Sequence, residues 1–151
     1  MARTVHYYVP FERKRLASRD MAATPGSVVR PPTLAEIRAG LPASFLDRLK
    51  ETLDVTEAEL ARVVGIPRQT LVRRRLRGFL RRDEGDRTAT VARVFDMALS
   101  YFDGNRKHAL EWLKHPNPAL AGETPLGRAD TATGAEDVID LIGRLQHGIP
   151  T

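Results

Sequence analysis

The sequence predicts an all-α protein in which a helix-turn-helix domain is followed by a second, smaller helical domain. Apolar residues return every three or four positions from Thr33 onward, and glycines and prolines interrupt those runs where helix ends are expected. No segment reads convincingly as a strand, a repeat or a low-complexity tract. At 151 residues the chain suits one ordinary domain, or two small ones sharing a core.

Residues 1–32 come first, with "HYYVPF", a basic "RKR" and "TPGSVVRPP", where proline and glycine break any helical period. An irregular basic arm is expected here, either touching nucleic acid or simply solvated. The first helix opens at "TLAEIRAG", where Thr33 and Glu36 stand in capping-box spacing, so that each side chain satisfies a free backbone amide of the other. "PASFLDRLKETLDV" sets Phe45, Leu46, Leu49 and Leu53 on one stripe of the next. "TEAELARVV" repeats the capping box with Thr56 and Glu59 and turns Leu60, Ala61 and Val64 inward.

Gly65 ends that helix, Ile66 is apolar, and Pro67 suits the first turn of the following one because its missing N–H would be unpaired there anyway. Two helices joined by so short a glycine-bearing turn form a helix-turn-helix, with Ala61, Gly65, Ile66 and Leu71 as crossing, turn and anchor residues. With Leu71 inward, Arg68, Gln69 and Thr70 open the second helix and Arg73 follows on its outer face. Arginine can grip guanine and glutamine adenine, each through two hydrogen bonds. Arg77, Arg81 and Arg82 lie further on, where phosphate contact is expected. About five such arginines on phosphates imply a log–log salt slope of roughly −4 to −5.

The stretch from Gly65 to Arg82 holds seven arginines and no acid. A bare solvated face of that kind would repel itself, which favours a polyanion partner. Arg74 is anomalous, because an apolar residue is expected three positions after Leu71. Either its stem covers core surface while its head reaches an acid, or the helix is rolled.

"GFLRRDEGD" reads as a loop, and "RTATVARVFDMALSYFDG" as a helix carrying Val91, Val94, Phe95, Ala98, Leu99 and Phe102, stopped by Gly104. "NRKHALEWLKH" is a shorter helix, "PNPALAGETPLGRADT" an irregular connector long enough to suggest a role of its own, and "GAEDVIDLIGRLQHG" a closing helix with Val138, Leu141, Ile142 and Leu145 on one side.

The net charge of +5 is unevenly spread. Residues 1–33 carry six bases and two acids, 34–85 eleven and eight, and 86–151 seven and nine, which suggests different partners for the two halves. With no cysteine there is neither a disulfide nor a thiolate site. The N-terminal stretch lacks the apolar core of roughly 7 to 15 residues that a signal peptide has, and no run approaches the ~18 apolar residues of a spanning helix. A cytoplasmic protein without membrane attachment is expected. His6, His108, His115 and His147 fall in separate segments, and no phosphate-cradling loop or nucleophile context occurs. No enzyme activity, metal or cofactor is expected.

Residues 109–149, with "WLKHPNPALAGETPL", Thr131, "TGA" and a "V..L..RL.HG" ending, resemble the C-terminal domain of the Xre/MbcA/ParS-type antitoxins, most of all the Xre antitoxins of RES-Xre toxin/antitoxin pairs. With the helix-turn-helix the resemblance runs from about Leu41 to Thr151, and "PNPAL" is its most specific part. It departs at "GRAD", where the family has apolar, helix-forming residues.

The resemblance implies a DNA-binding half that represses the operon, over residues 33–85. It also implies a toxin-binding half, over residues 86–151, that occludes the active site of a cognate RES-domain toxin acting on NAD. By matched position the toxin surface would include Trp112, Asn117, Pro118, Leu120, Pro125 and Leu126, together with Arg144, His147, Gly148 and Ile149 at the end. From the residues alone, Trp112 reads more readily as core than as a contact, and "PNPAL" also reads as a rigid turn that aims the chain. The rival reading is a stand-alone regulator whose second half dimerises or senses a ligand. Removing residues 134–151 would separate the two, since an antitoxin is expected to keep DNA binding. Because one recognition helix covers few base pairs, a homodimer on operator DNA is expected.

Overall fold

The computed structural model describes residues 29–149, and the expectation of an irregular arm over residues 1–32 falls outside it except for the last four of them. The first two of those are tied to the fold. Val29 is buried and donates its N–H to Thr52 Oγ1 (3.4 Å), while Arg30 grips both carboxylate oxygens of Glu36 at 2.6 and 3.1 Å.

Among the described residues eight α-helices follow: α1 (Leu34–Ala39), α2 (Ser44–Leu53), α3 (Glu57–Val64), α4 (Arg68–Arg77), α5 (Arg82–Tyr101), α6 (Arg106–Lys114), α7 (Pro125–Arg128) and α8 (Ala132–Gln146), with a 3-10 turn at Pro118–Leu120 between α6 and α7. Both expected capping boxes form. Thr33 and Glu36 cap the start of α1, and Thr56 and Glu59 the start of α3. Phe45, Leu46, Leu49 and Leu53 are all buried, as the stripe on α2 requires. Among the described residues no strand forms, and one isolated antiparallel bridge links Pro42 to Phe79.

The core is continuous from Val29 to Ile142, and α5 runs through it as the axis. α1, α2, α3, α6 and α8 all pack on this helix, whose Val91, Ala92, Val94, Phe95 and Ala98 are buried.

Two local expectations are corrected. The loop expected over "GFLRRDEGD" is shorter, because α5 already starts at Arg82. Asp83 and Glu84 fall in its first turn, where carboxylates suit the positive helix end, and the Glu84 carboxylate accepts the Arg81 N–H at 2.8 Å. Gly85 is not a turn residue but a small one facing α1, placed so that a Cβ would sit 3.6 Å from Ile37. The remaining loop is pinned by Ala43 N–H to Gly78 O and Leu80 N–H to Leu41 O, both 2.9 Å.

The "PNPALAGETPLGRADT" connector is also more regular than its prolines suggest. Asn117 and Thr124 cap the 3-10 turn and α7 by accepting from Ala119 and Gly127 N–H, and Leu120, Pro125, Leu126 and Ala129 are buried. The departure at "GRAD" has a structural role. Arg128 reaches Glu123 at 2.7 Å and Asp137 at 2.6 Å, fastening α7 to α8.

Candidate functional site

The turn between α3 and α4 is held by its own backbone. Gly65, at φ 64°, donates to Arg62 O, and Ile66 donates to Ala61 O at 3.0 Å, a pairing that ends a helix in a left-handed residue and is open to glycine at little strain. Pro67 sits at the cap immediately before α4 rather than within its first turn. Leu60, Ala61, Val64, Ile66 and Leu71 are buried beneath, which fixes the roll of α4.

Arg68, Gln69, Val72, Arg73, Leu76 and Arg77 therefore face outward. Thr70 is half-buried, and its hydroxyl accepts from Arg73 Nη2 at 3.3 Å, holding that guanidinium against the helix. Arg81 and Arg82 are exposed just beyond, and Arg81 lies 3.4 Å from Asp83.

The seven arginines are not equivalent. Arg74 is buried at 7% exposure, and its Nε donates to Glu84 Oε2 at 2.7 Å, the same oxygen that accepts the Arg81 N–H. Burial pushes the Glu84 carboxyl up. The hydrogen bonds from Arg74 and Arg81, with the charge of Arg74, outweigh that and hold it below the usual carboxylate range. Of the two explanations for Arg74, the stem over core surface with an acid at its head is the one found, although the head is buried instead of reaching solvent.

Arg75 pairs with Asp47 at 2.8 Å and Glu57 at 2.5 Å, and its hydrogen bond lowers the Glu57 carboxyl despite partial burial. The acids missing from the stretch itself thus arrive from α2, α3 and α5. What stays available to a polyanion is Arg68, Arg73, Arg77 and Arg82, with Arg81 in part. Sequence reasoning passed over Val72 and Leu76, whose only signal was being apolar at positions that Leu71 turns outward.

At the other end, a shallow groove of about 860 Å³ lies between α8, the 3-10 turn and the end of α5, lined in part by Met97, Leu120, Ile139, Arg144, His147 and Ile149. α8 closes with Gly148 at φ 67°, its N–H donating to Leu145 O while the Ile149 N–H reaches Arg144 O. That closure folds Ile149 back beside the groove, 51% exposed.

Of the residues expected to meet a toxin, Leu120, Arg144, His147 and Ile149 gather there. Pro118 and Gly148 are exposed. Asn117 is half-buried, and its side chain is engaged as the cap of the 3-10 turn. Trp112 is half-buried with its ring centroid 6.3 Å from that of Phe102, and its indole N–H is shielded from solvent without a hydrogen-bond partner among the described residues. Pro125 and Leu126 are buried within α7, and Leu120, which lines the groove, is only 4% exposed, so these three offer an incoming chain little surface. Met97, Ile139 and Asp140 were missed, because on one helix each looked like a flank of the core stripe.

Among the described residues no group of three or more His, Asp or Glu side chains is gathered as a metal ion would need. No described helix is long and apolar enough to cross a membrane.

Comparison with known proteins follows the same two-part division. Residues 32–93 match the antitoxin Xre-like helix-turn-helix domain, so that likeness begins before Leu41, and residues 97–148 match the antitoxin Xre/MbcA/ParS C-terminal toxin-binding domain. The two matches meet within α5. Among curated relatives, an antitoxin Xre from Yersinia enterocolitica is 36% identical over 114 residues, which is 75% of this chain and 77% of the relative. An antitoxin Xre from Photorhabdus laumondii is 35% identical over 116 residues, 76% of this chain and 78% of the relative. A helix-turn-helix with an outward basic helix, joined through one shared helix to a domain of the toxin-binding type, makes this chain a member of the Xre antitoxin family.

Proposed function

We propose that the chain is the antitoxin of a type II toxin/antitoxin pair in the cytoplasm. Its C-terminal half, residues 86–151, binds and occludes the active site of a cognate RES-domain toxin that degrades NAD. Its helix-turn-helix half, residues 33–85, binds operator DNA as a homodimer and represses the operon encoding both proteins. The observation that carries this reading is the presence in one chain of both matched domains, together with its likeness over about three quarters of its length to relatives named antitoxin Xre.

In this reading Arg68, Gln69 and Arg73 read bases, Thr70 steadies Arg73, and Arg77, Arg81 and Arg82 hold phosphates. Arg144, His147, Gly148 and Ile149 enter the toxin cleft beside the 860 Å³ groove, flanked by Pro118, while Leu120 lines the groove and the buried Pro125 and Leu126 anchor α7. Trp112 and Asn117 keep α6 and the 3-10 turn in register with it.

The test is co-expression with the product of the adjacent gene. Growth and the cellular NAD pool should collapse when that product is made alone and recover when this chain is present. Ile149→Asp with Arg144→Glu should cancel the recovery while leaving folding intact. No growth defect from the adjacent product, or no recovery with this chain, would exclude the antitoxin reading in favour of a stand-alone regulator.

A further inference from the structure

α4 turns outward a face that the helix-turn-helix core does not use, and that face is not uniformly basic. Val72 and Leu76 stand one turn apart on it, 55% and 85% exposed. By helical phase Arg73 and Arg77 border them on one side and Arg68 on the other. The ion pairs of this region engage Arg74, Arg75, Arg81 and Arg87, and none engages Arg68, Arg73 or Arg77 among the described residues. An exposed leucine by itself is ordinary, but an apolar pair at the middle of a basic face asks for an occupant with both characters.

A second copy presenting the same face would set arginine against arginine. A duplex does the opposite, because its phosphates line the rims of the major groove while thymine C5-methyl groups lie on its floor. We propose that Val72 and Leu76 select thymine in the operator by packing on its C5-methyl group. This rests on the reading that α4 enters the major groove. The two side chains are about 6 Å apart along the helix axis, close to two base steps of ~3.4 Å. Gln69 lies on the same face, and its amide suits adenine, so the three together favour A·T pairs at the centre of each half-site. Arg68 and Arg73 at the edges suit guanine.

The test uses the full chain and the DNA immediately upstream of its own reading frame, amplified with either thymidine or deoxyuridine triphosphate. Uracil pairs as thymine does but lacks the methyl group. The unaltered chain should bind the uracil fragment roughly fifteenfold more weakly, about fourfold for each of two methyl contacts. Val72→Ala with Leu76→Ala should bind the thymine fragment as weakly as the unaltered chain binds uracil, and should no longer distinguish the two. Both positions are exposed, so the thermal melt of that variant should be unchanged. Arg73→Ala should weaken both fragments and keep their ratio. Equal binding of the two fragments by the unaltered chain, or a ratio that survives the double substitution, would overturn the assignment while leaving DNA binding in place. Failure of the unaltered chain to retard the thymine fragment over shuffled competitor would remove the DNA-binding reading itself.

Discussion

Arg74 stands where such a motif turns an apolar side chain into the core, and the residue that reconciles it with burial lies ten positions on. Glu84 accepts from both Arg74 and the Arg81 backbone, so a single carboxylate neutralises α4 and caps α5. Removing one partner of a buried pair leaves an uncompensated charge, whereas replacing both by apolar groups is often nearly neutral. Glu84→Ala should therefore cost roughly 3 kcal/mol in a denaturant melt, and Arg74→Leu with Glu84→Leu should recover most of it. A double variant as unstable as the single one would mean that the cap, not the pair, carries the stability. Acid should unfold the chain for a related reason. Arg30, followed by the Thr33 amide and hydroxyl, lowers the Glu36 carboxyl from 4.5 to about 2, and the Glu57, Glu59 and Glu84 carboxyls are lowered too. Below the ordinary carboxylate range the unfolded chain takes up protons first, so stability is fully present above about pH 5 and is lost as pH falls toward 2. Glu36 and Glu59 are surface groups, so salt should reduce their share. A melting temperature that stayed flat from pH 6 to pH 3 would contradict that sign. That Arg74 needed an acid was legible from helical phase, but which acid was not, because Glu84 lay in what read as a loop.

At the scale of the element, the helices with apolar stripes and capping boxes were the legible ones. α1 and α3 begin where Thr33 and Thr56 place them and α2 follows its apolar stripe, because the signals involved are local. The segments that read as irregular were those whose order depends on distant partners. The 3-10 turn and α7 are too short to be stable alone and are held by burial of Leu120 and Leu126 and by the Arg128 bridges to Glu123 and Asp137. The approach of α7 to α8 is close at one point. A Cβ at Gly134 would collide with the Arg128 carbonyl oxygen and come within 2.9 Å of Thr131 Oγ1, which already accepts the Gly134 N–H. Gly134→Ala should cost about 3 kcal/mol through overpacking, lowering the melting temperature by roughly 6 to 12 °C. Gly143→Ala on the same helix meets nothing within 4 Å and should be tolerated. Equal melts for the two variants would show that the junction is looser than described.

The shared core bears on how the whole molecule can be cut. A deletion of residues 134–151 is not the clean separation of functions it promises on paper, because Ala135, Val138, Leu141 and Ile142 of α8 are buried against α5, the helix that also carries the DNA-facing half. That deletion should abolish the cooperative melt and DNA retardation together. The surface variant Arg144→Glu with Ile149→Asp should preserve both and lose only neutralisation of the toxin. DNA binding that survived the deletion would mean that residues 29–133 hold a core of their own. The sequence by itself determined the all-α class, the helix-turn-helix and the positions of its outward arginines, because periodicity, caps and turn glycines act over a few residues, and its motifs carried the resemblance of the C-terminal half to a toxin-binding domain. Only the tertiary structure decided which arginines are spent on internal acids, which "PNPAL" and "TPL" side chains are buried, and that one helix serves both halves. Those outcomes depend on charges and apolar faces brought together from segments ten to thirty positions apart, and that pairing is set by how the helices pack.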